Sequence, residues 1–223
     1  MKVLIFGATG MVGKGVLLEA LRSREVERVF VVGRSSTGLD DPKLEEFVLP
    51  DVGDLSSQAT RLADVDACLF CLGVSSAGMS MDRYTELTFD LTIRIARQLF
   101  EINPAMTFIY VSGAGTDSTE SGRIGWARVK GKTENELIRI FDSAYAFRPG
   151  VIIPLDGIQS KTKWTNVMVN LTRPLHGFIR RLAPRHVTTT AELGRAMLEV
   201  ARHGHPKQIL EQGDIIETGK RAV

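Results

Sequence analysis

The chain has 223 residues, of which 43% are hydrophobic and 24% are charged, and it contains 21 glycines and 8 prolines. These proportions are those of an ordinary globular protein, so they exclude a disordered chain and a collagen-like chain. The 28 lysines and arginines exceed the 26 aspartates and glutamates by only two, and this near balance favours neither a nucleic-acid nor a membrane partner.

Apolar, β-rich runs alternate with helical patterns, and this alternation is typical of β-α units around a parallel sheet. The predicted strands are Lys2–Phe6, Arg28–Val32, Glu46–Leu49, Ala67–Leu72, Thr107–Val111 and Ala144–Arg148, and a further short strand at Ile209–Glu211 is left open. The predicted helices are Met11–Arg22, Asp82–Glu101, Val129–Phe141 and Ala191–Ala201. The expected fold is a single doubly wound α/β domain over residues 1–223, with a mostly parallel sheet in the order 3-2-1-4-5-6 and helices on both faces.

The alternation of strand and helix patterns stops after Gly150. Pro154, Pro174 and Pro184 interrupt it, and the helical pattern resumes only after Thr188–Thr190, one of which is expected to cap the last helix. We expect the substrate-side region at about residues 151–190. The last residues of the chain are predicted to be a frayed tail.

The two cysteines, Cys68 and Cys71, have the C-x-x-C spacing of some redox and metal sites. They fall in a predicted buried strand, where residues three apart point to opposite faces of the sheet. The sequence has no second C-x-x-C and no histidine near the first. We therefore predict a buried strand and no metal site.

The location of the protein is predicted from its apolar runs. None of them approaches the roughly 18 residues that span a bilayer. The N-terminal run Val3–Phe6 meets Gly7 too early to form the core of a signal peptide. The expected location is the cytoplasm.

Glycines three residues apart lie directly between the first predicted strand and the first predicted helix. At these positions Gly7 permits a sharp turn, Gly10 lets the backbone approach a pyrophosphate, and Gly13 lets the helix pack closely on the strand. The start of the helix offers backbone N–H groups to the phosphates. The pattern predicts a dinucleotide site whose contacts are Gly7, Thr9, Gly10, Met11, Val12 and Gly13.

With further motifs, this turn resembles the atypical or extended members of the short-chain dehydrogenase/reductase superfamily, near the NmrA-like and Tat-interacting-protein groups of small NAD(P)-binding Rossmann proteins. The resemblance covers about residues 1–154. Besides the glycine turn it rests on Val32-Gly33-Arg34, Asp51-Val52, Cys71-Leu72-Gly73, Val111-Ser112-Gly113, Lys130 and Phe147-Arg148-Pro149-Gly150.

The resemblance implies further cofactor contacts. It places Asp51 and Val52 beside the adenine, and Cys71, Leu72 and Gly73 along the adenine ribose and the pyrophosphate. It also places the backbone after Pro149, at Val151 and Ile152, against the amide of the nicotinamide, and Lys130 on the nicotinamide ribose.

The end of the second strand separates NAD from NADP, because an acidic residue there accepts the ribose hydroxyls and repels a 2′-phosphate. This chain has Arg34 followed by Ser35. A guanidinium can hold a phosphate through two parallel hydrogen bonds. The sequence therefore favours NADP(H) over NAD(H), with a solvated loop charge as the alternative role of Arg34.

The resembled superfamily carries out proton transfer with a Tyr-x-x-x-Lys pair, which lies on one helical face, and with a nearby hydroxyl that polarises the substrate carbonyl. The lysine here is Lys130, but Trp126 stands at the tyrosine position. An indole N–H donates a hydrogen bond and does not release a proton at neutral pH. The candidates for the polarising hydroxyl are Ser112, Thr116 and Ser118, with Ser112 ranked first and a capping or turn role as its alternative.

Three explanations of the missing tyrosine stay open. Another acid could serve: Tyr84 is the tyrosine outside the predicted strands, with helix packing as its alternative role, and Asp117, Glu120, His176 and His186 lie in segments that could reach the site. The protein could bind NADP(H) without turnover, as a sensor or a partner-binding module. Trp126 could stack over the substrate while solvent supplies the proton.

The expected function is NADP(H) binding with oxidoreductase activity on a small carbonyl or alcohol substrate. The alternative from another class is a non-catalytic sensing or regulatory protein, which would have a protein partner. A nucleotide-sugar epimerase or dehydratase is disfavoured by Trp126 and by the short region after Gly150. Substrate identity and oligomeric state are not readable from the sequence.

Overall fold

A computed structural model describes residues 1–155, Ile158 and residues 187–221. Its main sheet contains β1 (Lys2–Phe6), β2 (Arg28–Gly33), β3 (Leu44–Val48), β4 (Ala67–Phe70), β5 (Thr107–Val111), β6 (Ala144–Arg148) and β9 (Ile209–Glu211). A second, two-stranded sheet pairs β7 (Val151–Ile153) with β8 (Val187–Thr189). The helices are α1 (Met11–Arg22), α2 (Ala59–Leu62), α3 (Met81–Thr85), α4 (Leu91–Ile102), α5 (Gly125–Ile140), α6 (Thr190–His203) and α7 (Gln212–Arg221).

The main sheet is parallel throughout and has the strand order β3-β2-β1-β4-β5-β6-β9. This confirms the predicted α/β fold class and the predicted strand order, and the short C-terminal strand is the seventh strand of the sheet. Parallel strands expose their carboxyl ends at one edge, where open α/β sheets bind their ligands. The loops that follow β1, β2, β4, β5 and β6 are therefore the candidate ligand-binding loops.

The sheet has a hydrophobic core on each face, and each buried strand contributes side chains to both, because successive side chains point to opposite faces. Val3 and Ile5 of β1 pack into one core with residues of α1 and α6, whereas Leu4 and Phe6 pack into the other with residues of α4 and α5. Cys68 belongs to the second core and Cys71 packs against the first. The two cysteines therefore face different cores, as predicted, but only Cys68 lies in the buried strand, whereas Cys71 follows it and is partly exposed.

Several boundaries differ from the sequence predictions. β3 begins at Leu44 rather than Glu46, since the edge strand is only partly buried and its apolar pattern is weak. β4 ends at Phe70 rather than Leu72. α5 begins at Gly125, four residues before the predicted Val129, because glycine is a poor helix former and conceals the first turn.

The predicted helix Asp82–Glu101 is continuous but not uniform. It consists of α3, one π-helical turn at Glu86–Asp90, and α4. The predicted cap of α6 is Thr189, whose hydroxyl accepts the N–H of Glu192 at 3.1 Å while the Glu192 carboxylate accepts the N–H of Thr189 at 3.0 Å. This reciprocal pair satisfies two backbone donors at the start of the helix.

The predicted frayed tail is wrong. Residues Gln212–Arg221 form α7, which buries Ile215, Ile216 and Thr218. α7 approaches α6 so closely that a Cβ on Gly219 would lie 2.5 Å from the carbonyl oxygen of Glu192. The small sheet of β7 and β8 was not predicted either. Its strands flank the expected substrate-side region, and Pro174 and Pro184 lie outside the described residues.

Candidate functional site

The turn after β1 requires glycine at two positions. Gly7 has a φ of +80°, and a Cβ there would lie 2.7 Å from the backbone of Cys71. A Cβ on Gly13 would lie 2.2 Å from the carbonyl oxygen of Gly7. Gly10 differs, because its Cβ would meet only the Gly7 oxygen, at 3.2 Å, and otherwise open space. The turn thus forms a cradle that a side chain at Gly10 would fill.

The start of α1 faces this cradle, and its first turn has no acidic side chain that would repel a phosphate. Gly10 is the N-cap, with extended backbone and no side-chain capping bond, and the first turn contains no acidic residue. The first N–H groups of a helix lack intrahelical partners and carry the positive end of the helix dipole. Met11, Val12 and Gly13 therefore present an environment suited to a phosphate.

The end of β4 lies against the glycine turn. The Cys71 N–H donates to the Phe6 carbonyl at 3.0 Å, and the Cys71 backbone borders Gly7. Gly73 is exposed, and a Cβ built on it would meet nothing within 4 Å. Burial raises the pKa of the Cys71 thiol to about 12, so the thiol stays protonated. The structure brings Cys71 to Gly73 beside the cradle.

Asp51 and Val52 follow β3 at the same sheet edge. One Asp51 carboxylate oxygen accepts the Gly53 N–H at 2.8 Å and pairs with the Arg94 guanidinium at 3.0 Å. Val52 packs against the second core. The predicted adenine contacts are therefore held in place from α4.

Arg34 is exposed at the end of β2, and no hydrogen bond or ion pair of its side chain occurs within the described part of the chain. The following residues are fixed by Glu46 of β3, which accepts the Ser36 hydroxyl at 2.6 Å and the Thr37 N–H at 2.7 Å. Partial burial opposes ionisation of Glu46, but these two bonds outweigh it and lower its pKa. Arg34 and Ser35 thus project from an ordered loop.

Glu46 was missed by the sequence analysis. The signal available was an acidic residue in the strand that neighbours a serine-rich loop. Such a residue can bind backbone and hydroxyl donors across two strands only if the strands are adjacent. The pairing of Val31 with Glu46 was not evident from the sequence, because the pattern does not give the register between neighbouring strands.

Lys130 lies on the inner face of α5, and its ammonium donates a hydrogen bond to the carbonyl oxygen of Ser112. Burial lowers the pKa of Lys130 to about 8, against the opposing influence of Glu134 one turn later. Trp126, one turn earlier, packs on the glycine loop after β5, where a Cβ on Gly115 would lie 3.6 Å from Cη2 of the indole. The structure therefore groups Lys130, Trp126 and the Ser112 backbone.

The candidate hydroxyls after β5 all have structural partners. The Ser112 hydroxyl donates to the Phe147 carbonyl at 3.1 Å, and the Thr116 hydroxyl donates to the Gly113 carbonyl at 2.8 Å. Ser118 accepts the Arg148 guanidinium at 2.5 Å. In this conformation it is the main-chain carbonyl of Ser112, rather than its hydroxyl, that contacts Lys130.

A buried ion pair connects α5 and β6 next to the loop that follows β5. Both oxygens of the fully buried Glu134 accept hydrogen bonds from Arg148, at 3.1 and 2.5 Å. Arg148 also pairs with Glu211 of β9 at 3.1 Å. Breaking such a buried pair by removing one partner typically costs about 3–5 kcal/mol, because the other charge is left uncompensated.

Glu134 was likewise missed by the sequence analysis. The available signal was its spacing from Lys130 and Leu137, which places an acidic residue within an inward-facing stripe of α5. A buried carboxylate needs a cationic partner, and Arg148 is that partner. The motif that contains Arg148 therefore has a structural role in holding α5 and the loop after β5.

The candidate replacement acids within the described residues each have packing or hydrogen-bond partners of their own. Tyr84 is 1% exposed and burial raises its pKa, so its environment supports the packing role. Asp117 bonds to Thr119 and to the N–H of Gly122, which lowers its pKa. Glu120 accepts the Asn135 amide at 2.7 Å. His176 and His186 lie outside the described residues.

The backbone after β6 returns to the same edge. The buried Pro149 accepts the Ala114 N–H at 2.9 Å, which fastens the glycine loop to the β6–β7 connection. Val151 is exposed, whereas Ile152 packs against the first core. The predicted nicotinamide-side residues thus lie beside the loop that carries Ser112.

Sequence comparisons identify relatives of moderate similarity. No family model matches the chain. The Aspergillus niger protein fmp52, mitochondrial, is 29% identical over 158 residues, which are 67% of this chain and just under two thirds (66%) of that protein. The Saccharomyces cerevisiae protein FMP52, mitochondrial, is 26% identical over 78% of this chain and 74% of its own length. Rat HTATIP2 is 26% identical over 68% of this chain and 62% of its own length.

These relatives overturn the expected cytoplasmic location. The relatives from Aspergillus niger, Aspergillus oryzae and Saccharomyces cerevisiae are all named as mitochondrial proteins. The argument from apolar runs failed because the destination of a protein does not depend on bilayer-spanning segments alone. Within the described ranges, the helices are too short or too polar to cross a membrane.

Structural comparisons identify the same fold in solved structures of low sequence identity. ADP-L-glycero-D-manno-heptose-6-epimerase from Helicobacter pylori has a TM-score of 0.68 at 13% identity and covers 99% of this chain and 81% of its own. A short-chain dehydrogenase/reductase superfamily protein from Agrobacterium tumefaciens with bound NAD has a TM-score of 0.63 at 16% identity, over 95% of this chain and 77% of its own. These comparisons agree with the recognition made from the motifs at the level of the fold: the chain has the Rossmann fold of these short-chain dehydrogenase/reductase and epimerase structures, and HTATIP2 is among its sequence relatives.

Proposed function

We propose that this protein binds NADP(H) and is an oxidoreductase for a small carbonyl or alcohol substrate. The observation that carries the proposal is the placement of two features at one edge of the sheet. The glycine cradle follows β1, and Lys130 bonds to the residue that follows β5. A dinucleotide that crosses this edge would have its pyrophosphate at the cradle and its nicotinamide near Lys130.

The residues of the chain fit such a cofactor. Gly10 leaves open space where a Cβ would point, and the first turn of α1 has no acidic residue to repel phosphate. Arg34 and Ser35 are exposed at the end of β2, in the position where a 2′-phosphate distinguishes NADP from NAD. This support for NADP comes from the residues of this chain, since a solved neighbour is described with bound NAD.

The bound nicotinamide supplies or accepts the hydride, so the protein must position the substrate and handle one proton. Lys130 is the group suited to the second task. Its side chain is partly buried, its ammonium is held by the Ser112 carbonyl, and burial lowers its pKa to about 8. An acid with a pKa near the working pH is effective in proton transfer. Lys130 would thus donate the proton itself, in place of the tyrosine that Trp126 replaces.

The direction of the pH dependence follows from this assignment. Carbonyl reduction requires Lys130 as the ammonium ion, which predominates below its pKa of about 8. The rate of reduction should therefore fall as the pH rises through that value, and alcohol oxidation should show the opposite trend. Trp126 would form one wall of the substrate site.

A second candidate function is non-catalytic NADP(H) sensing or regulation through a protein partner. The observation that favours it is Trp126 at the position of the proton-donating tyrosine, together with the burial of Tyr84. The glycine cradle and Arg34 serve this candidate equally well. The two candidates differ in turnover, not in cofactor binding.

The cofactor preference is tested by Arg34→Ser. If the guanidinium holds the 2′-phosphate, the native protein should bind NADPH more tightly than NADH. The substitution should remove most of the difference, about tenfold to a hundredfold, because a charge-assisted hydrogen bond contributes about 1.5–3 kcal/mol. Fluorescence titration with both cofactors measures the effect.

Arg28→Ser is the matched control, since Arg28 is an exposed arginine at the opposite end of β2. It should leave both affinities unchanged. Equal affinities of the native protein for NADPH and NADH would refute the assignment to Arg34.

A further inference from the structure

Exposed large hydrophobic side chains are concentrated at the carboxyl edge of the sheet. Within the described ranges these side chains are Val48, Val74, Met81, Phe100, Ile124, Val151 and Leu155. Five of them, all except Val48 and Phe100, lie in segments that follow β4, β5 or β6. Scattered exposed apolar residues are ordinary, but a group at one place marks a binding surface.

Direct contacts join three of these segments into one surface. Met81 at the start of α3 lies against Gly125, where a Cβ would be 2.3 Å from its sulfur. Gly125 lies between Ile124 and Trp126 in the chain, and Trp126 packs on the glycine loop after β5. That loop is bonded to Pro149, two residues before Val151. We call Met81, Ile124, Trp126 and Val151 the apolar rim.

The apolar rim borders Lys130. Trp126 precedes Lys130 by one helical turn, and a Cβ on Gly113 of the glycine loop would lie 3.9 Å from the Lys130 nitrogen. Two charged side chains of the segment before Lys130 are engaged elsewhere, Asp117 with Thr119 and Arg128 with the Gly122 carbonyl at 2.7 Å. A substrate whose carbonyl reaches Lys130 would contact the apolar rim, with the exposed charges of Asp82 and Arg123 beside Met81 and Ile124.

We propose that the substrate is an aldehyde or ketone with a hydrophobic chain or ring, which packs on the apolar rim while its carbonyl oxygen faces Lys130. This inference rests on the proposed function and specifies its substrate class. In the reaction, the carbonyl carbon would accept a hydride from bound NADPH, the carbonyl oxygen would take a proton from Lys130, and Lys130 would regain a proton from solvent, so that the products are an alcohol and NADP⁺. A polar sugar nucleotide would gain little from this surface.

The experiment compares NADPH oxidation with propanal, butanal and hexanal as substrates. Each methylene that becomes buried should raise kcat/KM by up to about fourfold, so hexanal should exceed propanal by tens of fold. Ile124→Asn should reduce this gain. Val48→Asn is the matched control, because Val48 is 53% exposed against 56% for Ile124 but lies on β3, and it should leave the series unchanged.

The outcomes separate this inference from the proposed function. Turnover that does not depend on chain length overturns the apolar substrate class and leaves the oxidoreductase function intact. Absence of turnover while NADPH binds overturns the oxidoreductase function instead. In that case, calorimetry with the unreactive hexanamide and propanamide on the NADP⁺-loaded protein still tests the rim, and equal affinities for the two amides overturn it.

A stability measurement tests whether the rim has another occupant. If Ile124→Asn lowers the melting temperature much more than Val48→Asn does, Ile124 packs within the chain and the inference fails. Equal, small changes in melting temperature for the two variants support a surface that is available to a ligand.

Discussion

Lys130→Met should reduce the rate of carbonyl reduction at saturating NADPH by about 10²–10⁴-fold, the usual contribution of a positioned proton donor. The variant keeps the length and apolar stem of the side chain and removes only the ammonium, so the fold should persist. Lys130→Arg separates the effect of charge from that of proton transfer. A guanidinium keeps its positive charge and donates hydrogen bonds, but it does not release a proton to the substrate. Lys130→Arg should be nearly as slow as Lys130→Met. Stopped-flow measurement of NADPH absorbance gives both rates.

Lys132→Arg is the control on the same helix. Lys132 is exposed, with its ammonium 4.2 Å from the centre of the Phe89 ring, away from the Ser112 carbonyl. It should retain the native rate. Full activity of Lys130→Arg would show that the charge of Lys130 matters and that the proton has another source.

Trp126→Tyr extends the same experiment to the second candidate function. The phenol would stand one helical turn before Lys130, where the ammonium should lower the pKa of the phenol. If the native protein is an active enzyme, Trp126→Tyr should reduce the carbonyl substrate faster than the native protein does. A silent native protein with an active Trp126→Tyr variant would instead favour the non-catalytic function.

Gly10→Val should weaken NADPH binding by at least about a hundredfold, or about 2.7 kcal/mol, while the circular dichroism stays native. The added side chain would fill the cradle, yet its Cβ would meet only the Gly7 oxygen at 3.2 Å. Gly13→Val, by contrast, should destabilise the fold, since its Cβ would lie 2.2 Å from the same oxygen. Calorimetric titration and thermal melting distinguish the two effects.

Gly213→Val provides the control for introducing valine at a glycine with open surroundings. A Cβ on Gly213 would meet nothing within 4 Å, and the residue lies on α7. This variant should bind NADPH normally. Normal NADPH binding by Gly10→Val would mean that the glycine turn is only a structural turn, and the cofactor proposal would then fail.

The fully buried parts of the fold were predictable because their apolar patterns are unambiguous. β1, β5, β6 and α1 have the predicted bounds, and the parallel order follows from β-α alternation. β3 was displaced because an edge strand that is half exposed gives a weak pattern. α7 was missed because its stability comes from packing on α6, which local sequence does not reveal.

The candidate site was predictable to the extent that it depends on backbone shape. Gly7 and Gly13 were assigned from their spacing, and the structure shows why a side chain does not fit at either position. The pairing of Glu134 with Arg148 and of Glu46 with the loop after β2 depends on contacts between distant segments. Such contacts depend on the register between strands and on side-chain packing, which the sequence pattern did not supply.

Transfer of deuterium from labelled NADPH to a carbonyl substrate would show directly whether the protein is an oxidoreductase. NADPH with deuterium at both C4 positions is incubated with the protein and hexanal, and the products are analysed by mass spectrometry. The account predicts hexanol with one deuterium on its hydroxyl-bearing carbon from the native protein, and a much smaller amount from Gly10→Val. NADPH that binds without producing deuterated hexanol, or a deuterated alcohol from any aldehyde or ketone of a broad panel, would contradict this function.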